Sequence, residues 1–191
     1  YCAAISNDSN DVVVFASDDP KWTKISMGNE VAKSNWIKIQ YIPFYKMFMM
    51  VSESEDSAAV SFDGILWQNV VLPNTGANAK YSSIAYAYND PIIGMCLTVN
   101  GINQIVVIGI DPSREIIWTA EQLPNDASTD WRGICWSPEL QKFCAFATDY
   151  LYALSTDGLS WTTTTYASVG IPNGTWWNMT YAQELQMFCV I

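Results

Sequence analysis

The sequence predicts an all-β protein, a β-propeller built from four-stranded antiparallel blades. Three observations lead there. A phrase opening on Trp or Tyr recurs at a nearly constant interval. A Gly-containing corner, Ser61-Phe-Asp-Gly-Ile-Leu-Trp67, is rewritten as Ser155-Thr-Asp-Gly-Leu-Ser-Trp161. Between these markers lie short runs of Val, Ile, Phe, Tyr and Thr bounded by Gly, Pro, Asn and Asp, with almost no helical periodicity.

The opening phrase is clearest in Trp131-Arg-Gly-Ile-Cys-Trp136-Ser-Pro-Glu-Leu-Gln-Lys-Phe143-Cys144. It overlays Trp176-Trp-Asn-Met-Thr-Tyr181-Ala-Gln-Glu-Leu-Gln-Met-Phe188-Cys189 without a gap. Trp36, Tyr41 and Phe48 keep the same spacing, and Tyr81 and Tyr86 start a less regular copy in which Ile93 or Met95 stands for Phe143. The anchors Trp36, Tyr81, Trp131 and Trp176 are 45, 50 and 45 residues apart. A period of roughly 47 residues holding several strands is that of a propeller blade, whereas solenoid repeats are shorter. The single domain 1–191 is therefore read as repeats 1–35 (partial), 36–80, 81–130, 131–175 and 176–191 (partial).

In the unit from Trp131, strand A is expected at 131–136, B at 142–148, C at 150–155 and D at 160–166, with tight turns between A and B and between C and D. Each unit then carries a corner marker before strand D: Asp19 and Trp22 in Ser17-Asp-Asp-Pro-Lys-Trp22, the Ser61 and Ser155 phrases, and Trp118. Gly64 and Gly158 supply a residue at positive φ. The carboxylates of Asp63 and Asp157 are placed to accept the turn's own amides, and Trp67 and Trp161 to fold back as apolar plugs. A carboxylate repeated once per blade is accordingly read as structural rather than as a catalytic acid.

These corners resemble the Asp-box, or BNR-type, repeats of sialidases and many non-enzymatic propellers. They lack the residue that usually separates the Asp from the Gly, Pro20 replaces the Gly in the first copy, and the copy ending at Trp118 has lost the pattern. With Trp136-Ser-Pro-Glu-Leu-Gln-Lys-Phe-Cys144 added, the units are also similar to propeller repeats of phages and giant viruses. The resemblance implies a propeller on a virion or an extracellular surface. It also implies an enzymatic alternative, since sialidases use three arginines, a Tyr nucleophile helped by a Glu, and an Asp acid. This sequence contributes only Arg114 and Arg132.

Composition narrows the function. Half the residues are hydrophobic and 14% aromatic, enough for a large core. The net charge of −10 repels nucleic acid and anionic membranes, and no apolar run is long enough to cross a bilayer. The absence of His removes the commonest general base and metal ligand. No cofactor or metal is expected. The five Cys form no CxxC pair; Cys2, Cys144 and Cys189 sit in the matching phrases Tyr1-Cys-Ala, Phe143-Cys-Ala and Phe188-Cys-Val and read as small core positions, with a Cys135–Cys144 bridge across one hairpin left open. If Tyr1-Cys-Ala matches Phe143-Cys-Ala, the opening at Tyr1-Cys2-Ala3 and the last residues, 188–191, both spell strand B. That favours an excerpt of a ring of five or more blades, the alternative being a four-bladed ring closed by 176–182.

Loops joining B to C, and D to the next A, share one rim and are the expected binding surface. Its candidates are Asp8, Asp11, Glu53, Glu55, Asp56, Asn100, Asn103, Asp149 and Tyr150, polar groups beside an aromatic that suit sugar hydroxyls or a protein surface. The dense cluster at Glu53, Glu55 and Asp56 is equally what a solvated loop looks like. Asn7, Asn173 and Asn178 begin Asn-X-Ser/Thr sequons. The function expected is non-enzymatic binding of a glycan or protein ligand; a subunit packing against copies of itself in a capsid, tail or filament is the alternative.

Overall fold

Short runs of three to nine residues, some alternating and others continuously apolar, broken by turn-forming residues, give strands. The computed structural model describes residues 2–5, 10–16, 19–28, 31, 34–53, 57–70, 72, 79–87, 92–99, 102–110, 116–123, 129–148, 150–172 and 174–191. Within them, β1 (Cys2–Ile5), β2 (Asp11–Ala16) and β3 (Asp19–Ser26) form a three-stranded sheet. The second sheet holds β4 (Trp36–Ile42), β5 (Met47–Ser52), β6 (Ala58–Ser61) and β7 (Gln68–Val70). The third holds β8 (Ala79–Tyr86), β9 (Ile92–Val99), β10 (Ile102–Ile110) and β11 (Ile116–Gln122). The fourth holds β12 (Trp131–Ser137), β13 (Lys142–Ala147), β14 (Leu151–Ser155) and β15 (Thr162–Thr165). A hairpin of β16 (Met179–Ala182) and β17 (Met187–Val190) completes the order. Every strand pairs antiparallel with its neighbour in the chain, so these are propeller blades in sequence order.

The strands expected in the fourth unit are met within two residues. The last is shorter than expected because the Asp157 corner takes the amides of Leu159 and Ser160, and Tyr166 turns into a 3-10 turn over Tyr166–Val169. Thr165 caps that turn through Oγ1, which accepts the Ser168 N–H at 3.2 Å.

The core lies between sheets. Residues facing forward from one sheet meet those facing back from the next: Val12 and Val14 against Trp36, Phe48 and Trp67; Met47, Met49 and Val60 against Tyr81, Ile84 and Tyr86; Ala85 and Ala87 against Ile134, Trp136 and Phe143. The leading aromatics Trp36, Tyr81 and Trp131 are at most 1% exposed. Each is followed by a bulge at the same repeat position, between Trp36 and Lys38, Tyr81 and Ser83, and Trp131 and Gly133. The extra residue bends the strand.

The hairpin turns after β4, β12 and β16 are also copies of one another. Lys46, Gln141 and Gln186 occupy the left-handed region at φ of 50°, 49° and 51°. Register settles the irregular third unit, where Tyr86 pairs with Ile93 as Trp136 pairs with Phe143.

One expected match is out of step. Ala3 packs forward onto the second sheet, whereas Ala145 faces back onto the third. A strand changes face at every residue, and β1 is set by pairing Ala3 with Val14, so Tyr1-Cys2-Ala3 is shifted by one from Phe143-Cys144-Ala145. Cys135 and Cys144 do face each other in register, as free thiols rather than a disulfide.

Candidate functional site

The two twin corners have the same wiring. Ser61 Oγ accepts the Gly64 N–H at 2.8 Å and donates to Asp63 Oδ1 at 3.1 Å. That oxygen also accepts the amides of Ile65 at 2.7 Å and Leu66 at 2.8 Å, while Trp67 Nε1 donates to the Gly64 carbonyl at 3.2 Å. Ser155, Asp157, Leu159, Ser160, Gly158 and Trp161 repeat every bond between 2.7 and 3.0 Å. Gly64 and Gly158 sit at φ of 77° and 72°. Backbone hydrogen bonds, from Leu66 then Ile65 in one corner and chiefly from Ser160 in the other, hold both carboxyls below the ordinary value of 3.8. An acid so committed to backbone amides is a turn anchor.

Trp67 is buried and Trp161 half-buried, each tilted against the Phe of its own second strand, at 6.5 Å from Phe48 and 6.4 Å from Phe143. The first copy differs. Asp19 starts β3 with its Cα opposite Ala16, and Trp22 stacks on Phe15 at 5.5 Å yet is 56% exposed. Trp118 lies in β11, partly buried against the second and third sheets.

Antiparallel connection puts the turns after first and third strands at one end of each sheet. That end is apolar. Phe44, Leu140 and Leu185 crown the first turns, and Phe62, Ile65, Leu66 and Leu159 crown the twin corners, all exposed; Leu66 reaches 72%. Soluble surfaces scatter such residues singly; here they recur at matching turn positions on one end.

Opening toward the same end is an axial groove of about 560 Å³ between the first strands of the sheets, with Pro138 and Gln183 from the turns in its lining. Gln40, Ala85, Cys135 and Thr180 line it, each one residue before the second aromatic of its phrase, and Lys38 brings an ammonium group. Sequence reasoning missed this column, although the anchor spacing contains it: it is the fifth position of all four phrases.

The expected rim is only partly described. Asp8, Glu55, Asp56, Asn100, Asp149, Asn7 and Asn173 lie outside the described residues. Asp11 is ion-paired with Lys24 at 2.7 Å. Glu53 accepts from Asn35 Nδ2 at 3.4 Å, and its own amide donates to the Asn35 carbonyl at 2.9 Å. The Tyr150 carbonyl accepts the Tyr166 amide at 2.8 Å, and the Tyr150 side chain packs on the core of the fourth sheet. Asn103 pairs with Thr98 inside β10 rather than in a loop. Asn178 is exposed and caps the Met179 amide at 2.9 Å. Arg132 is held by Asp130 at 2.7 Å and lies 5.7 Å over the Trp177 ring, so it is already engaged; Arg114 lies outside the described residues.

No family model and no curated protein matches the chain. Solved structures do. Virginiamycin B lyase from Staphylococcus aureus superposes with a TM-score of 0.71 at 15% identity over 92% of this chain and 54% of its own. A streptogramin B lyase gives 0.74 at 9% identity, over 97% and 56%. A chain of a nidogen/laminin complex gives 0.64 at 13% identity, over 97% and 68%. The chain thus spans about half the length of the two lyases. These likenesses establish the β-propeller fold, which hosts both enzymes and binding proteins.

Proposed function

We propose that the chain is a non-catalytic propeller module that docks a protein partner through the end formed by Phe44, Phe62, Leu66, Leu140 and Leu185. The observation that carries this reading is the repeated exposure of large apolar side chains on those turns. Aliphatic and aromatic surface of this kind favours protein over glycan, and the wiring of the corners explains it: the carboxylate ties down the backbone so that Ile65, Leu66 and Leu159 project outward. The use of Asp63 and Asp157 as turn anchors supports a structural rather than a catalytic role for these carboxylates. The nidogen/laminin structure is a precedent for such a fold in a protein complex. A virion or extracellular setting rests on the likeness to phage and giant-virus repeats. In that setting the partner is a surface protein of positive or neutral charge, given the net charge of −10.

The test compares Leu66→Ser/Leu185→Ser with Glu53→Gln/Tyr150→Phe. Binding to surface proteins of the source particle or cell, read by biolayer interferometry, is expected to be lost in the first pair and kept in the second. Binding to a glycan panel, lost only in the second pair, would overturn the reading in favour of the rim. Concentration-dependent mass by light scattering, abolished by Leu66→Ser, would identify the partner as another copy.

A further inference from the structure

We propose that Cys135, Cys144 and Met179 form a three-sulfur site for a soft monovalent cation, copper(I) or silver(I), at the seam between the fourth sheet and the β16–β17 hairpin. Three placements converge there. Cys135 and Cys144 are direct cross-strand partners, so both side chains stand on one face of the sheet. Their neighbours Ile134, Trp136, Phe143 and Ala145 point back to the third sheet, which leaves the thiols facing forward, toward the hairpin. Met179 lines the axial groove together with Cys135, and it also lines a cleft of about 350 Å³ together with Cys144. Met179 therefore borders both cavities, one shared with Cys135 and the other with Cys144.

Comparison of the seams within the chain shows that fold alone does not require this. The same positions hold Gln40, Met49 and Ile84 between the second and third sheets, and Ala85, Gly94 and Ile134 between the third and fourth. Packing there is satisfied by amide, thioether and aliphatic groups. At one seam the position becomes sulfur three times over.

The chemistry of the donors selects the ion. Thiolate and thioether ligands favour copper(I) and its congeners over hard cations. No carboxylate is present among the described residues lining either cavity, so calcium or magnesium finds no ligands. Binding breaks two S–H bonds, forms two metal–thiolate bonds and one dative bond from the Met179 sulfur, and releases two protons to solvent; no electron is transferred. The bis-thiolate with one monovalent cation carries a single negative charge. Lys38, in the axial groove with Cys135, offsets it. Burial keeps both thiols protonated when free of metal, Cys144 being pushed up to about 12.

Anaerobic titration of the reduced protein with copper(I), against a chromophoric bidentate chelator, tests the site. One tightly held ion per chain is expected, retained in Cys189→Ser, weakened at least 100-fold in Cys135→Ser and Cys144→Ala, and about tenfold in Met179→Leu. Wild-type affinity in Cys135→Ser, or loss of the ion in Cys189→Ser, would overturn the proposal. Because Cys144→Ala opens a buried position, the decisive readout uses unmutated protein: copper-edge X-ray absorption of the 1:1 complex should show three sulfur neighbours. A nitrogen or oxygen neighbour, or fewer than three sulfurs, would also overturn it.

Discussion

Gly133 stands against the ring edge of Phe146: a Cβ at this position would overlap Phe146 Cε1 and come within 2.9 Å of Cδ1. The contact falls at the bulge of β12, where the chain bends away from its partner strand, and Phe146 is 1% exposed. Gly133→Ala is expected to cost about 1–3 kcal/mol in urea unfolding, as overpacking does. Phe146→Ala should cost about 3–5 kcal/mol alone. In that background Gly133→Ala should add almost nothing, and additive losses would show that the ring is not what excludes the methyl group.

The corner carboxylates predict acid sensitivity. Asp63 and Asp157 are lowered in the folded state, so each contributes stability above the unfolded value near 3.8 and loses it as pH falls through the folded one. Urea midpoints should therefore fall below about pH 4, and fall less steeply in Asp63→Asn/Asp157→Asn. The effect is modest, since both groups are largely exposed to solvent.

Left-handed residues in the hairpin turns are sites of latent stabilisation. Gln141 at φ 49° carries a Cβ penalty that glycine would not. Gln141→Gly is expected to raise stability by about 0.5–1 kcal/mol, net of glycine's entropy. An unchanged or lowered urea midpoint would contradict this.

Three of the four corner tryptophans, Trp22, Trp67 and Trp161, should rank by burial. Trp67→Ala is expected to cost about 3–5 kcal/mol, Trp161→Ala less, and Trp22→Ala within about 0.5 kcal/mol. Thermal melts of the three variants check the order.

The repeat, the strand order and the corners were legible because they rest on local signals: an aromatic at a fixed interval, Gly at positive φ, an Asp before free amides. The axial column was missed because Gln40, Ala85, Cys135 and Thr180 share no chemistry; what they share is an address relative to Trp36, Tyr81, Trp131 and Trp176. Ala3 was misplaced for the opposite reason, since a lookalike tripeptide outweighed a register that only the pairing with Val14 decides. The exposed apolar side chains of the corners were not legible because the sequence reading rested on Asp63, Gly64 and Trp67 and their copies, and it is the wiring of Asp63 and Asp157 that turns Ile65, Leu66 and Leu159 outward.

Among the described residues the principal sheet-to-sheet contacts join adjacent units: β8 touches β4 and β5 on one side and β12 on the other, while β16 rests on β12. A stack coupled in this way behaves like a row of dominoes rather than a single crystal of contacts. Amide hydrogen exchange should accordingly be slowest in β4, β8 and β12, whose sheets each pack on two neighbours, and faster in β17, whose hairpin packs chiefly through β16 on β12.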